Sequence, residues 1–398
     1  MPLLGVVGKT NVGKSTFFSA ATMVEVPIEN RPFVTIDPNI GIGYVRVPCV
    51  HVKLGLPQCN PIDGFCMKGW RFIPVKLMDV AGLVPGASEG RGLGSQFLEK
   101  VSRSDALLIV VDASGSTDEE GNPVPPGSHD PTEDVKILLE EYVNWMFSQI
   151  LKDWKSFSMK VDTSGESIED ALYKRLSGFK VKRDQIKLAL DELSPPSKLS
   201  KWSQADIKSF IDKVVEFKPK VIVANKADLP QAESLIERLK EQLPYKVIPT
   251  SAAAEMILRK AAKEGYIEYV PGDADFTEVK TLSPKQKKVL ETIRKNVLEK
   301  WGSTGVVQSL NTVVFDEMDM TVVYPVHDVN RYTDTEGRVL PEARLVKKGI
   351  TVREFAGLIH SDFQKHFLYA IDALSSRKLG GEHRIDREMV IKIVSAKK

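Results

Sequence analysis

Three shortages bound what this sequence can be. Among 398 residues only Cys49, Cys59 and Cys66 are cysteines. No disulfide framework can hold a chain of this size together, which points to a reducing compartment. No apolar run approaches the roughly 18 residues that a membrane-spanning helix needs. The N-terminus enters a folded motif almost at once, so neither a leader nor a membrane partner is expected. Charge of one sign is also lacking: 55 Lys and Arg against 53 Asp and Glu leave a formal net charge of +2. An overwhelmingly basic nucleic-acid binder is excluded, and any RNA-binding surface must be a local patch. What is present is ordinary for a globular protein, with 42% hydrophobic and 27% charged residues. At about 100–200 residues per domain, the expectation is a soluble, cytoplasmic chain of two or three domains.

Short apolar runs alternate with helical patterns through the first two thirds of the chain, as in an α/β fold with a mainly parallel sheet. The runs are Leu3–Val7, Ile40–Val47, Phe72–Met78, Ala106–Val111, Val221–Ala224 and Tyr245–Pro249. Leu107-Leu108-Ile109-Val110-Val111 is continuous rather than alternating, which suits a strand buried on both faces. Between Asp112 and Lys220 lie roughly a hundred residues, where a crossover usually needs one helix. Helical patterns at Pro131–Trp154, Glu166–Leu176, Lys182–Leu193 and Gln204–Phe217 make this an α-helical, coiled-coil-like insertion. Asp130-Pro131-Thr132-Glu133 reads as the start of its first helix. The Gly- and Pro-rich stretch before it, Gly115 to Pro131, reads as a long mobile loop. After Pro284 comes an amphipathic helix to Trp301, broken by Gly302-Ser303-Thr304-Gly305. Residues 306–396 mix β-rich runs (Thr312–Phe315, Thr321–Val326, Val390–Val394) with a helix at Val352–Phe363, a small α+β domain. The expected divisions are 1–130 and 219–303 for the two parts of the sheet domain, 131–218 for the insertion and 304–398 for the last domain.

Gly8-Lys9-Thr10-Asn11-Val12-Gly13-Lys14-Ser15 matches the phosphate-binding pattern G-x-x-x-x-G-K-[ST], after a strand and before a helix through Thr16. Its glycines let backbone N–H groups curl around a β-phosphate, Lys14 bridges the β- and γ-phosphates, and the Ser15 hydroxyl binds Mg²⁺. Asp79-Val80-Ala81-Gly82 follows the strand ending at Met78. Asp79 can hold Mg²⁺ through water and the Gly82 amide can reach the γ-phosphate. Thr35 is the candidate switch hydroxyl completing the Mg²⁺ shell. Asn225-Lys226-Ala227-Asp228 follows the strand ending at Ala224. The Asp228 carboxylate can accept from guanine N1–H and N2–H, which adenine lacks, and such a site discriminates by roughly 10⁴–10⁵. Asn225 would tie this base loop to the phosphate loop and the Lys226 stem would cover the base. Ser251, Ala252 and Ala253, after the last strand, can offer a backbone N–H to guanine O6. A kinase of the same fold has no need of such a base-recognition loop.

With these motifs the sequence resembles the Obg-related P-loop GTPases, and within them the YchF subfamily in an archaeal-type form. The resemblance spans nearly the whole chain. It includes the long switch from Asp79 through Gly86-Ala87 to Gly90-Arg91-Gly92-Leu93-Gly94 and Phe97-Leu98, the helical insertion, and Tyr324-Pro325-Val326-His327 with Gly349-Ile350-Thr351-Val352 and Ala356. It implies a P-loop GTPase fold and a C-terminal TGS domain of ubiquitin-like β-grasp type. It also implies nucleotide hydrolysis coupled to ribosome association and to translation or stress regulation. Many members carry Glu where this chain has Asp228 and prefer ATP, so ATP preference is not carried over. An ATP-preferring or dual-specificity hydrolase stays open, as does a nucleotide-gated binding module with negligible turnover.

The position of the Ras-type water-orienting Gln is Leu83, whose alkyl chain cannot orient water. The resemblance offers His129 as a substitute and Asn11 as a holder for K⁺ against the phosphates. A basic run, Lys174, Arg175, Lys180, Lys182, Arg183 and Lys187, surrounds Phe179 and reads as a ribosomal RNA contact, with Phe179 stacking on a base. Cys49, His51, Cys59 and Cys66 invite a zinc reading. They lack a paired Cys-x-x-Cys knuckle, however, and the segment Cys49 to Trp70 reads as an ordinary insertion loop. The oligomeric state is open.

Overall fold

The computed structural model describes residues 1–22, 40–80, 82 and 94–396. The central sheet has seven strands: β1 (Leu3–Val7), β2 (Ile40–Pro48), β3 (Phe65–Met67), β4 (Trp70–Asp79), β5 (Ala106–Asp112), β6 (Lys220–Asn225) and β7 (Val247–Pro249). Their order is β2-β4-β1-β5-β6-β7, with β3 also pairing on β4. All pairs from β4 to β7 along this path are parallel, while β2 and β3 run antiparallel to β4. β5 explains its continuous apolar run: Leu107, Ile109 and Val111 join one core cluster, and Ala106, Leu108 and Val110 join the cluster on the opposite face.

Helices α1 (Lys14–Thr22), α2 (Val50–Lys53) and α3 (Gly94–Arg103) belong to the first half of the sheet. Between β5 and β6 the chain forms α4 (Pro131–Leu151), α5 (Trp154–Ser164), α6 (Ile168–Leu176), α7 (Arg183–Leu193) and α8 (Gln204–Glu216). Val135, Leu138 and Tyr142 of α4 and Ile207, Phe210 and Ile211 of α8 share the core cluster that holds Leu107 and Ile109, so the insertion packs directly on the sheet. The expected helix Pro131–Trp154 ends earlier, because Asp153 turns left-handed at φ 57° and starts α5. Beyond β6 come α9 (Ala232–Gln242), α10 (Ala252–Lys263) and a ribbon of β8 (Ile267–Glu268) with β9 (Thr277–Glu278). Next come α11 (Pro284–Ile293) and, after a π-helical turn, α12 (Glu299–Trp301).

The expected strand at Thr312–Phe315 is instead a π-helical continuation of α13 (Val306–Asn311). Val306, Leu310, Val313 and Val314 recur at helical spacing and bury one face against the sheet, and this burial outweighs the β-branched propensity. The last part contains β10 (Met320–Pro325), β11 (Arg344–Lys347), β12 (Ile350–Thr351), α14 (Val352–Ile359), α15 (Ser361–Lys365), β13 (Phe367–Asp372), β14 (Arg377–Leu379), β15 (Arg384–Ile385) and β16 (Met389–Ser395). The expected helix Val352–Phe363 is divided at His360, whose extended backbone restarts the chain as α15. Five strands form a mixed sheet, β11-β10-β16-β13-β14. Val323 of β10 faces a core with Val352 and Phe355 of α14, while Val322 and Tyr324 face the cluster containing Leu4 and Val6 of β1. The small sheet is therefore covered by its own helix on one side and by the larger domain on the other. Among the described residues no helix is long and apolar enough to cross a membrane.

The segment after β2 departs most from expectation. It is not a loose insertion: α2 and β3 fold it back on β4, and Cys49, His51, Cys59 and Cys66 come together with their ligand atoms within 4.8 Å of one another.

Candidate functional site

The parallel strands place their C-terminal ends along one edge, where open α/β sheets bind ligands. Register aligns Val6 with Asp79, Asp112 with Asn225, and Ala224 with Pro249. The phosphate loop, the Asp79 strand end and the base loop therefore meet at this edge.

On the phosphate side, Lys14 opens α1 and is buried. Its ammonium donates to the Lys9 carbonyl. Burial pulls its pKa down to about 8, although the nearby Asp79 charge works in the opposite direction. The Ser15 hydroxyl lies 3.5 Å from Asp79 Oδ2. Burial pushes the Asp79 carboxyl above its usual range despite Lys14 and Ser15. Gly82 lies against Thr10, since a Cβ there would fall 2.6 Å from Thr10 Cγ2. Gly13 has no alternative: its φ is +96°, and a Cβ would sit 2.2 Å from Asn225 Nδ2. Thr16 follows Ser15 in the first turn of α1. Thr35 and Leu83 lie outside the described residues, as does most of the long switch after Asp79.

On the base side, Asn225 Nδ2 donates to the Val12 carbonyl at 2.9 Å, and its Oδ1 accepts from Ala252 N at 3.1 Å. One amide thus links three loops. Lys226 adopts a left-handed conformation, φ 64°, and its ammonium donates to Asp112 Oδ2 at 2.7 Å. Burial opposes the Asp112 charge, but hydrogen bonds from Lys226, Ser114 and Ser116 outweigh it and hold the carboxyl below its usual range. Asp228 Oδ1 accepts from the Ser251 hydroxyl at 2.7 Å, and Ser251 also caps α10 at Ala254 N. Ala253 is exposed beside the buried Ala252. Trp301 Nε1 donates to Ala227 O at 3.1 Å, bracing the base loop from a distant helix.

Asp112 escaped the sequence reading because an Asp at the end of a buried strand has no motif around it. Its signal is positional: register sets it opposite Asn225. Lys9 and Asp134 escaped for a similar reason. Lys9 Nζ donates to Asp134 Oδ1 at 2.9 Å and to Thr117 O at 2.9 Å. His129 Nε2 lies 2.8 Å from the same Asp134 oxygen. Burial pushes the Asp134 carboxyl up despite its contacts with Lys9 and His129. In this arrangement the ring of His129, the residue offered as the water-orienting substitute, is engaged at the start of α4, where Asp134 stands between it and Lys9 of the phosphate loop.

The long loop before α4 makes defined contacts. Residues 115–130 fold into a strap over the phosphate loop, with Thr10 Oγ1 donating to Glu120 O at 3.0 Å and Asn11 Nδ2 to Gly121 O at 2.9 Å. Asp118 closes its turn by accepting from the Glu120 and Asn122 amides at 3.0 and 2.8 Å. The amide of Asn11, the residue expected to hold K⁺, is therefore engaged by the strap.

Comparison with known proteins shows the family. Family models match residues 3–142 as a 50S ribosome-binding GTPase, 223–328 as the G4 motif-containing domain of the Obg-like GTPase YGR210-like, and 330–395 as a TGS domain. A GTP-binding protein of Methanocaldococcus jannaschii is 44% identical over 100% of both chains. The ribosome-binding ATPase YchF of Mycoplasma genitalium is 29% identical over 96% of this chain and 94% of its own. The crystal structure of a GTP-binding protein from Pyrococcus horikoshii superposes with a TM-score of 0.80 at 38% identity, covering 99% of each chain. This chain belongs to the Obg-like/YchF family of P-loop GTPases, nucleotide-hydrolysing enzymes with a C-terminal TGS domain.

Proposed function

We propose that the chain is a Mg²⁺-dependent GTPase that converts GTP to GDP and phosphate. In this reading it acts in the cytoplasm as a switch on the ribosome or the translation and stress-response machinery. One observation carries the guanine reading: Asp228 has a single oxygen engaged by Ser251, on a loop tied to the phosphate loop through Asn225. A carboxylate held in this way is ready to accept from a purine that carries N1–H and N2–H donors. The test is the affinity for non-hydrolysable GTP and ATP analogues, measured side by side with Mg²⁺. A preference for GTP of about a hundredfold or more is expected, below the roughly 10⁴–10⁵ ceiling of such sites. Equal affinities, or tighter ATP binding, would replace this reading with the ATPase one, which the name of the Mycoplasma genitalium relative favours.

Ser15 and Asp79 are the residues that would hold Mg²⁺, with Thr35 proposed as the switch ligand on sequence grounds. The fit rests on Asp79, a half-buried carboxyl beside the Ser15 hydroxyl, whose charge a dication would stabilise. The ion supplies neutralisation of phosphate charge when bound. Lys14 adds a fixed cation, Gly13 allows the backbone to approach, and Val12, Thr16, Lys226, Ser251, Ala252 and Ala253 complete the proposed nucleotide surface. The Gly82 amide would meet the γ-phosphate. His129 is given a positioning role, bracing Lys9 through Asp134, in place of water activation. K⁺ at Asn11 would be held by the amide Oδ1, since Nδ2 donates to Gly121 O; a rate higher in K⁺ than in Na⁺ should then disappear in Asn11→Ala.

For the ribosome, the basic run needs revision. Phe179 packs edge-on against Trp145 at 5.5 Å, so it does not stack on a base in this arrangement. Lys174 pairs with Glu166, Arg183 pairs with Asp170, and Arg175 donates to the Ile150 carbonyl. The contact is therefore proposed for phosphates rather than bases, with Lys180, Lys182 and Lys187 as its cations. Unchanged ribosome co-sedimentation after charge reversal at Lys180 and Lys182 would remove this surface.

A further inference from the structure

The four side chains gathered after β2 have no part in the nucleotide chemistry above. Cys49 ends the approach from β2 and precedes α2, on which His51 sits, both buried. Cys59 lies on the segment leading away, and Cys66 on β3, which pairs with β4 and brings the chain back. Cys49 Sγ and Cys59 Sγ are 3.7 Å apart, and Cys66 Sγ is 3.8 Å from His51 Nδ1. A disulfide would require about 2.05 Å. A tetrahedral zinc with Zn–S near 2.3 Å and Zn–N near 2.0–2.1 Å requires ligand separations of about 3.5–3.8 Å. These two spacings match the second geometry, and all four ligand atoms lie within 4.8 Å of one another. Three sulfurs and one imidazole are also a common donor set of closed, structural zinc sites.

Arg71 provides an independent observation. Its side chain is fully buried on β4, and Nη1 lies 3.7 Å from Cys59 Sγ. Its guanidinium also donates to Leu340 O at 3.1 Å and Pro341 O at 3.0 Å. Among the described residues no carboxylate forms an ion pair with it. A buried guanidinium with no anion in contact is costly, and Asp63 acts on it only at longer range. Three thiolates and a neutral histidine around a dication leave one negative charge, which is what Arg71 needs. The same segment is joined to the end of the chain: Asn60 N donates to Val339 O at 2.8 Å, Ile62 N to Pro341 O at 2.9 Å, and Lys53 pairs with Glu388.

We propose that Cys49, His51, Cys59 and Cys66 bind a structural Zn²⁺ that fastens the segment after β2 and, through Arg71, secures the joint between the GTPase sheet and the C-terminal domain. The spacing Cys-x-His, then long gaps, hides this site from a knuckle search because the ligands come from a helix, a connecting segment and a strand.

Zinc content of the full chain, purified under reduction without chelators, tests this directly. About one zinc per chain is expected, together with the ligand-field spectrum of a tetrahedral thiolate site after Co²⁺ exchange. Cys59→Ser and Cys66→Ser should each lower zinc content at least about tenfold. Since a variant could misfold, the intact protein provides the second arm: with zinc bound, its three thiols should resist alkylation until chelator is added. Chain without metal that gains no tetrahedral cobalt spectrum would overturn the proposal. So would thiols that alkylate equally fast before and after chelation, or a Cys49–Cys59 disulfide in the reduced preparation.

Discussion

The two ends of the nucleotide site are built differently. On the base side the polar groups already hold one another: Asn225 is shared between Val12 and Ala252, Asp228 is engaged by Ser251, and Lys226 by Asp112. On the phosphate side Lys9, Thr10 and Asn11 each donate to the strap at 117–121, a segment about a hundred positions away, and Lys9 also pairs with Asp134 of α4. That strap carries Asp118, Glu119 and Glu120, charges of the same sign as a triphosphate. In the proposed GTP site, selectivity would therefore rest on a preassembled set of local loops, and phosphate affinity on a buried lysine beside an acidic segment. The proposal thus puts base discrimination and control of occupancy at opposite ends of one ligand.

The largest effect that could break this comparison is on the base. Asp228→Ala should weaken GTP binding by about a thousandfold or more while leaving ATP nearly unchanged, as read by competition with a fluorescent nucleotide. Equal losses for both nucleotides would mean that the carboxylate does not read the base. Next comes the shared amide. Asn225→Ala leaves Val12 O and Ala252 N without their partner, at about 1–3 kcal/mol for each buried group. Denaturant unfolding of the nucleotide-free protein should show that loss. A change below about 0.5 kcal/mol would show the base loop to be less preassembled than its hydrogen bonds indicate.

On the phosphate side the expected effects are smaller and depend on conditions. The folded-state pKa of Lys14 lies near 8, below its ordinary 10.5, because burial disfavours the charge. The unfolded chain therefore binds more protons between these values. The folding penalty from Lys14 is fully present below pH 8 and is relieved as pH rises towards 10.5. Nucleotide binding runs the other way, since triphosphate favours the ammonium. Affinity should fall above pH 8 by up to about tenfold per unit, with proton uptake detectable by calorimetry in buffers of different ionisation enthalpy. A pH-independent affinity between 8 and 10 would locate the phosphate charge away from Lys14. Smallest is the strap: Glu119→Gln with Glu120→Gln should tighten GTP binding about two- to fivefold at low salt, with the gain vanishing as salt screens it. Weaker binding in that variant would show that the strap organises the phosphate loop rather than competing with its ligand.

Legibility followed the range over which each feature is organised. The phosphate loop was readable because Gly8 to Ser15 carries its own backbone geometry, and β5 because its apolar run is buried on both faces. The base loop was readable as residue types, but the link from Asn225 to Val12 depends on two segments meeting across β1, β5 and β6. Thr312–Phe315 was misread since β-branched residues favour strands until a helical stripe finds a core to bury against. The loop at 115–131 was readable as a loop, but its glycines and prolines could not show the turn closed by Asp118 or the contacts with Thr10 and Asn11. Phe179 looked available for stacking because sequence cannot show that Trp145 stands beside it.

The sequence alone therefore determined the class of chemistry, a P-loop nucleotide hydrolase, since the phosphate loop and the proposed base loop are written in short contiguous motifs whose local conformation follows from Gly, Lys, Asn and Asp. Tertiary structure decided which distant side chains acquired partners. It placed Asp134 between Lys9 and His129, laid the strap over Thr10 and Asn11, and set Asp112 beside Lys226. It also drew Cys49, His51, Cys59 and Cys66 into one cluster. The physical reason is common to all four: antiparallel pairing on β4 and parallel register along β1, β5 and β6 fix separations in space that no spacing in the chain encodes.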